Sequence, residues 1–218
     1  MKFLRSRNLL MAMFMLQAGW AAADPAMDAD ILELQQKWAV IKYKTAKDKQ
    51  DAAFTALEAK AESVVQAHPQ AAEPLVWSAI IVSTHAGVSG GLGALSKVKR
   101  ARTLLEQAAD IDPNALQGSV YTSLGSLYYQ VPGWPIGFGD DKKAEDYLKQ
   151  ALAQNPDGID PNYFYGDFLR DQGRYQEAIT YLTKAINAPP RPQRELADQG
   201  RREEAQHVLA RVEAELAK

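Results

Sequence analysis

Residues 142–156 read KKAEDYLKQALAQNP and residues 175–190 read YQEAITYLTKAINAPP. Laid on one another, they pair Ala144 with Ala178, Leu148 with Leu182, Ala151 with Ala185 and Pro156 with Pro190, every pair 34 residues apart. On a helix the two alanines and the leucine between them share one face. The small side chains let a second helix approach closely, the leucine fills the groove between them, and the proline ends the helix. Ala101, Leu105, Ala108 and Pro113 carry the same spacing upstream. A period of this length marks a stack of supersecondary units, each burying its apolar face against the next.

Each such helix needs a partner in front of it, and the preceding segments supply one. Tyr121, Leu124, Gly125 and Tyr128 place a large apolar, an apolar, a small and an aromatic residue on one face; Asn162, Tyr165, Gly166 and Leu169 follow with one substitution, and Trp77, Ile80, Ile81 and Thr84 more loosely. Further upstream, Ile31, Leu34, Trp38 and Ile41 form an amphipathic stripe, and Phe54, Leu57, Ala61, Val64 and Val65 precede Pro69 as a degenerate second helix. Asp112-Pro113 and Asp160-Pro161 read as helix starts, and Gly173 and Gly200 as tight turns. DQGR occurs at 171–174 and again at 198–201, only 27 residues on, which reads as a shortened terminal unit with Ala205, Leu209 and Val212 on its second helix.

These patterns resemble the tetratricopeptide repeat over roughly residues 74–215. The resemblance implies an all-α, right-handed α-solenoid of antiparallel helix hairpins: a helical pair over 24–73, repeats over 74–190, and a short capping hairpin over 191–218. No stretch reads as a sheet.

Two hairpins depart from the regular length. Gly166 and Ala178 are 12 apart, whereas Gly125 and Ala144 are 19 apart and Ile81 and Ala101 are 20 apart. The extra residues fall in VPGWPIGFGD (131–140) and HAGVSGGLGALSK (85–97), so two lengthened turns are expected on one edge of the stack. Neither glycine run ends in the Gly-Lys-Ser/Thr of a P-loop or completes a dinucleotide fingerprint. Asp140 and Asp141 read as N-cap and first-turn partners of the helix that follows. A solvated turn has no use for Trp134, Ile136 and Phe138, which are expected to plug the hairpin ends or wall a pocket.

The N-terminal segment MKFLRSRNLLMAMFMLQAGWAAAD places Lys2, Arg5 and Arg7 before an apolar run and three alanines before Asp24, the order of a secretory signal peptide cleaved after Ala23. The expected location is a bacterial periplasm, without stable membrane insertion, because the run is too short to span. Residues 1–23 hold three of the 25 Lys and Arg and none of the 27 Asp and Glu, leaving 22 against 27 and a formal charge of −5. That balance speaks against nucleic acid as a partner. With no cysteine, stability rests on packing, and thiolate chemistry is excluded.

His68, His85 and His207 lack ligand spacing, so neither metal nor cofactor is expected, and no nucleophile or metalloprotease motif points to an enzyme. Lys97, Lys99, Arg100 and Arg102 read as a solvated basic face. The resemblance places groove-lining residues on the first helices: here Ser78, Val82 and His85, then Thr122, Ser126 and Tyr129, then Tyr163, Asp167 and Arg170. Relatives that clamp a carboxylate carry several cations at those positions, and this chain offers only Arg170 beside Asp167. The expected site is therefore His85, Thr122, Ser126, Tyr129, Tyr163, Asp167 and Arg170, with Trp134 and Phe138 from the loop, taking an envelope protein, a peptide segment or a small polar ligand. The expected role is that of an exported, non-catalytic interaction module. Exported solenoids with V-P-G-W-P turns are also similar to T components of TRAP transporters, which implies help in handling a small solute.

Overall fold

The computed structural model describes residues 24–218, so the signal-peptide reading lies outside the described residues. These form nine helices: α1 (Pro25–Lys44), α2 (Lys47–Ala67), α3 (Ala72–Ser89), α4 (Gly91–Ile111), α5 (Ala115–Gln130), α6 (Asp141–Gln154), α7 (Ile159–Asp171), α8 (Tyr175–Asn187) and α9 (Glu195–Leu216). Among the described residues there is no named strand, and no helix is long and apolar enough to cross a membrane.

The 34-residue spacing becomes packing where the hairpins close. Ala144, Leu148 and Ala151 of α6 and Ala178, Leu182 and Ala185 of α8 are completely buried, and α4 repeats this with Ala101, Leu105 and Ala108. The glycines of the partner helices explain how close the pairs lie. A methyl added at Gly125 would fall 2.6 Å from Leu148 Cγ, and one at Gly166 2.8 Å from Leu182 Cγ. Leucine on one helix thus packs into the bare backbone of the other, once in α5–α6 and again in α7–α8. The helices end two residues before Pro69, Pro113 and Pro156, as a residue preceding proline avoids the helical region.

At three places the architecture differs from the sequence reading. Between α3 and α4 there is no long turn: a single residue, Gly90, separates them, and the extra residues lengthen both helices. Helix formers such as Ala86, Ala94, Leu95 and Lys97 carry the pattern through, while Gly90 and Gly91, at φ of 61° and 63°, supply the reversal. Residues 195–216 form one helix of 22 residues rather than a capping hairpin. The first DQGR copy is a turn, with Gly173 at φ 71°, but Gly200 in the second is helical, and the Tyr43 ring lies against its bare Cα. Finally, Asp160 does not cap α7, whose N-cap is Gly158; its carboxylate faces α9.

The single helix α9 has an architectural consequence. It packs on α8 and α7 and also reaches α1, so the two ends of the stack meet across its inner side. Tyr43 covers Gly200, and Lys42 Nζ lies 2.9 Å from Glu204 Oε1.

Candidate functional site

Where the ends meet, the solenoid encloses a cleft of about 820 Å³. Its walls come from α1, the start of α2, α3, α4, α5 and α7, from the α5–α6 loop, from the segment joining α8 to α9 and from α9. Such a volume lies within the roughly 300–1,000 Å³ of small-ligand sites.

The floor is aromatic. Trp38 meets Trp77 edge-on at 6.1 Å and Tyr43 at 5.8 Å, and its indole N–H donates to Thr84 Oγ1 at 2.9 Å, which fixes the ring. One wall is hydroxylic. Thr122 and Ser126 spend their protons on the backbone carbonyls of Gly118 and Ser123, so toward the cleft they offer oxygen lone pairs rather than donors.

The opposite wall is cationic. Arg191 binds Asp160 at 2.6 Å and Asp198 at 2.7 Å; Arg201 binds Asp160 at 2.8 Å and Glu204 at 2.5 Å, with its guanidinium between Tyr163 and Phe164, 4.5 and 4.6 Å from the ring centroids. Burial alone would raise the Asp160 carboxyl, but Arg191 and Arg201 beside it, with Arg194, hold it well below the usual carboxylate range. Burial and the nearby Arg201 push the Lys42 ammonium down, opposed by Glu204, and burial carries the Tyr163 hydroxyl up to about 12. Arg194 has no carboxylate: its guanidinium lies 5.1 Å over the Trp77 ring, its buried Nε finds no partner, and burial with the neighbouring Arg191 lowers it to about 10.

Residues 136–197, from the end of the α5–α6 loop through α6, α7 and α8 into α9, match the tetratricopeptide-repeat family model. That segment of the chain carries tetratricopeptide-repeat sequence. Among solved structures the chain is similar to one named MamA AMB-1, at 19% identity over 87% of this chain and 96% of that one with a TM-score of 0.47. It is also similar to TTC0263, a thermophilic TPR protein of Thermus thermophilus, at 19% identity over 83% and 98% with a TM-score of 0.43. No curated protein matches the chain. Tetratricopeptide-repeat proteins in general are non-catalytic modules that bind protein partners.

Of the residues expected to line the tetratricopeptide groove, Thr122, Ser126 and Tyr163 line the cleft. His85 does not: it turns toward α2, stacks on Phe54, and lies between Glu58 and Asp51 at 2.5 and 3.0 Å. Tyr129, Asp167 and Arg170 satisfy one another instead of facing a ligand. The Tyr129 hydroxyl donates to Asp167 Oδ2 at 2.8 Å, and Arg170 donates twice to Oδ1, at 3.1 and 2.7 Å. Three of the four basic residues of α4 are likewise occupied: Lys97 and Arg100 with Glu58, and Arg102 with Glu106 and over the Phe138 ring.

The loop divides its three large side chains. Phe138 is half-buried against Tyr128 at 5.4 Å and plugs the hairpin, Ile136 walls the cleft mouth while 66% exposed, and Trp134 stands 90% exposed. Backbone bonds from Gly139 to the Pro132 carbonyl and from Asp140 to the Tyr128 carbonyl hold the loop to its helices. Sequence reasoning missed Trp38, Lys42, Asp160, Arg191, Arg194 and Arg201, which become one site only because α9 crosses to α1. A visible signal was the density of arginine after Pro190, at 191, 194, 201 and 202.

Proposed function

We propose that the chain is an exported, non-catalytic interaction module of a bacterial envelope, which takes a segment of an envelope partner into the cleft with Trp134 as a contact at its rim. The observation that carries the reading is the cleft itself: aromatic, hydroxylic and cationic walls converge on one cavity, and the braced loop whose Pro132 and Ile136 line it also carries the exposed Trp134. An isolated solvent-facing tryptophan is the kind of side chain that supplies binding energy on contact. Export is supported by the residue left at the start of the chain after cleavage at Ala23. Asp24 is the N-cap of α1, and its carboxylate accepts from Ala26 N and Met27 N at 3.0 and 3.3 Å.

A second reading, an accessory component that handles a small solute, draws on the closure of the cleft by α9 to a volume typical of small-ligand sites. Crosslinked capture from periplasmic extract, comparing the natural chain with Ser126→Trp, tests the first reading. Loss of captured partner on filling the cleft is expected, and equal capture counts against it. A thermal-shift screen with organic acids and sugars tests the second, since ligands that bind tightly raise stability by amounts of order kcal/mol.

A further inference from the structure

We infer that the cleft holds a binding site for a single carboxylate, centred on Arg194 beside Trp77, and that its ligand joins this carboxylate to an apolar body carrying an N–H or O–H donor. The inference rests on the cleft being the binding site. Three observations converge on it.

The first is charge. Lys42, Arg191, Arg194 and Arg201 gather with Asp160, Asp198 and Glu204, four cations to three carboxylates. Each carboxylate is engaged by at least one of the other three cations, so the excess charge resides on Arg194. With Lys47 also on the cleft wall, the site is net cationic and favours an anionic ligand.

The second is an unmade hydrogen bond. Arg194 Nε is buried without an acceptor, while the same guanidinium faces Trp77. A buried charged donor left unpaired is costly, and a carboxylate brought against the guanidinium fork relieves that with a two-pronged bond. The chain is turned to hold it there: Gln193 adopts φ 62°, in the left-handed region, and Arg194 N bonds back to the Arg191 carbonyl.

The third is the complementary wall. Trp38, Ile80 and Leu95 offer apolar surface in the same cleft, Trp38 against the Trp77 ring that carries the cation. Thr122 and Ser126, with their protons already given to carbonyls, accept hydrogen bonds from the ligand's far end.

A peptide ending in a free carboxylate and a small hydroxy or apolar acid both present this chemistry, and titration calorimetry on the purified chain separates them. The probes are 3-phenylpropionate and its amide, and acetyl-Ala-Ala-Phe with a free or an amidated C-terminus. At least one acid is expected to bind about tenfold or more tighter than its own amide, a margin of about 1.4 kcal/mol. Which acid binds identifies the source. Arg194→Gln is expected to bring that margin below about twofold while amide binding stays unchanged, and Arg194→Lys, which keeps the charge but not the fork, to keep part of it. Since no carboxylate pairs with the guanidinium and its contact is the Trp77 face, Arg194→Gln is expected to melt close to the natural chain. Equal binding of acid and amide, no saturable binding of either acid up to about 10 mM, or an undiminished margin in Arg194→Gln overturns the inference. The acid–amide comparison in the natural chain decides even if a variant misfolds. Partner capture that depends on the open cleft, with neither acid bound, removes the carboxylate site and leaves the cleft reading standing.

Discussion

Replacing Asp160 with asparagine tests the ion network that joins α9 to the repeats. Its carboxylate receives Arg191 at 2.6 Å and Arg201 at 2.8 Å, with Arg201 7%, Asp160 26% and Arg191 30% exposed. Removing one partner of a fully buried pair costs about 3–5 kcal/mol; a quarter of Asp160 is in water and asparagine keeps one acceptor, so about 2–3 kcal/mol is expected for Asp160→Asn. At about 2–4 °C per kcal/mol for a chain of this size, the midpoint of a circular-dichroism melt at pH 7 falls by about 4–12 °C. The pH dependence carries a sign. The folded Asp160 carboxyl is held below its unfolded value, so its contribution is complete above that value and fades as pH falls through the folded one. The gap between natural chain and variant therefore narrows below about pH 4. A variant that melts within about 2 °C of the natural chain, with a gap that ignores pH, refutes the reasoning.

Gly166→Ala places a methyl 2.8 Å from Leu182 Cγ and 3.1 Å from Leu182 N, so overpacking of about 1–3 kcal/mol is expected in urea denaturation, and an unchanged midpoint contradicts the close approach of α7 and α8. Trp134→Ala removes a ring that is 90% exposed; it is expected to leave stability within about 0.5 kcal/mol while weakening partner capture, and a large melting shift would mean that the ring is packed. N-terminal sequencing of the protein from fractionated cells is expected to begin at Asp24, and an intact Met1 in a cytoplasmic fraction contradicts export.

The repeats were legible because their signal is redundant. Ala144, Leu148 and Ala151 recur at fixed spacing in α8, and the two glycines opposite them have one packing explanation each. Local motifs served less well where tertiary contact decides the outcome. DQGR leaves α7 in a turn after Asp171 yet lies within α9 at 198–201, where the Tyr43 ring, far away in sequence, packs on Gly200. Glycine counting placed two long turns, yet the glycines after His85 need only a one-residue reversal and the rest of the insertion is helix. Groove positions transferred from first helices found Thr122, Ser126 and Tyr163. They missed the cations, because the cleft is closed by α9, an element outside the regular repeat.

Site-specific photo-crosslinking in cells tests the central claim, that the cleft is where this protein meets its partner. With a photoreactive residue in place of Ser126 inside the cleft, of Trp134 on the loop whose Pro132 and Ile136 line it, or of Gln107 on the exposed side of α4, adducts to the same partner are expected from the first two positions and not from the third. Adducts from Gln107 alone, or none from Ser126 and Trp134, would contradict it.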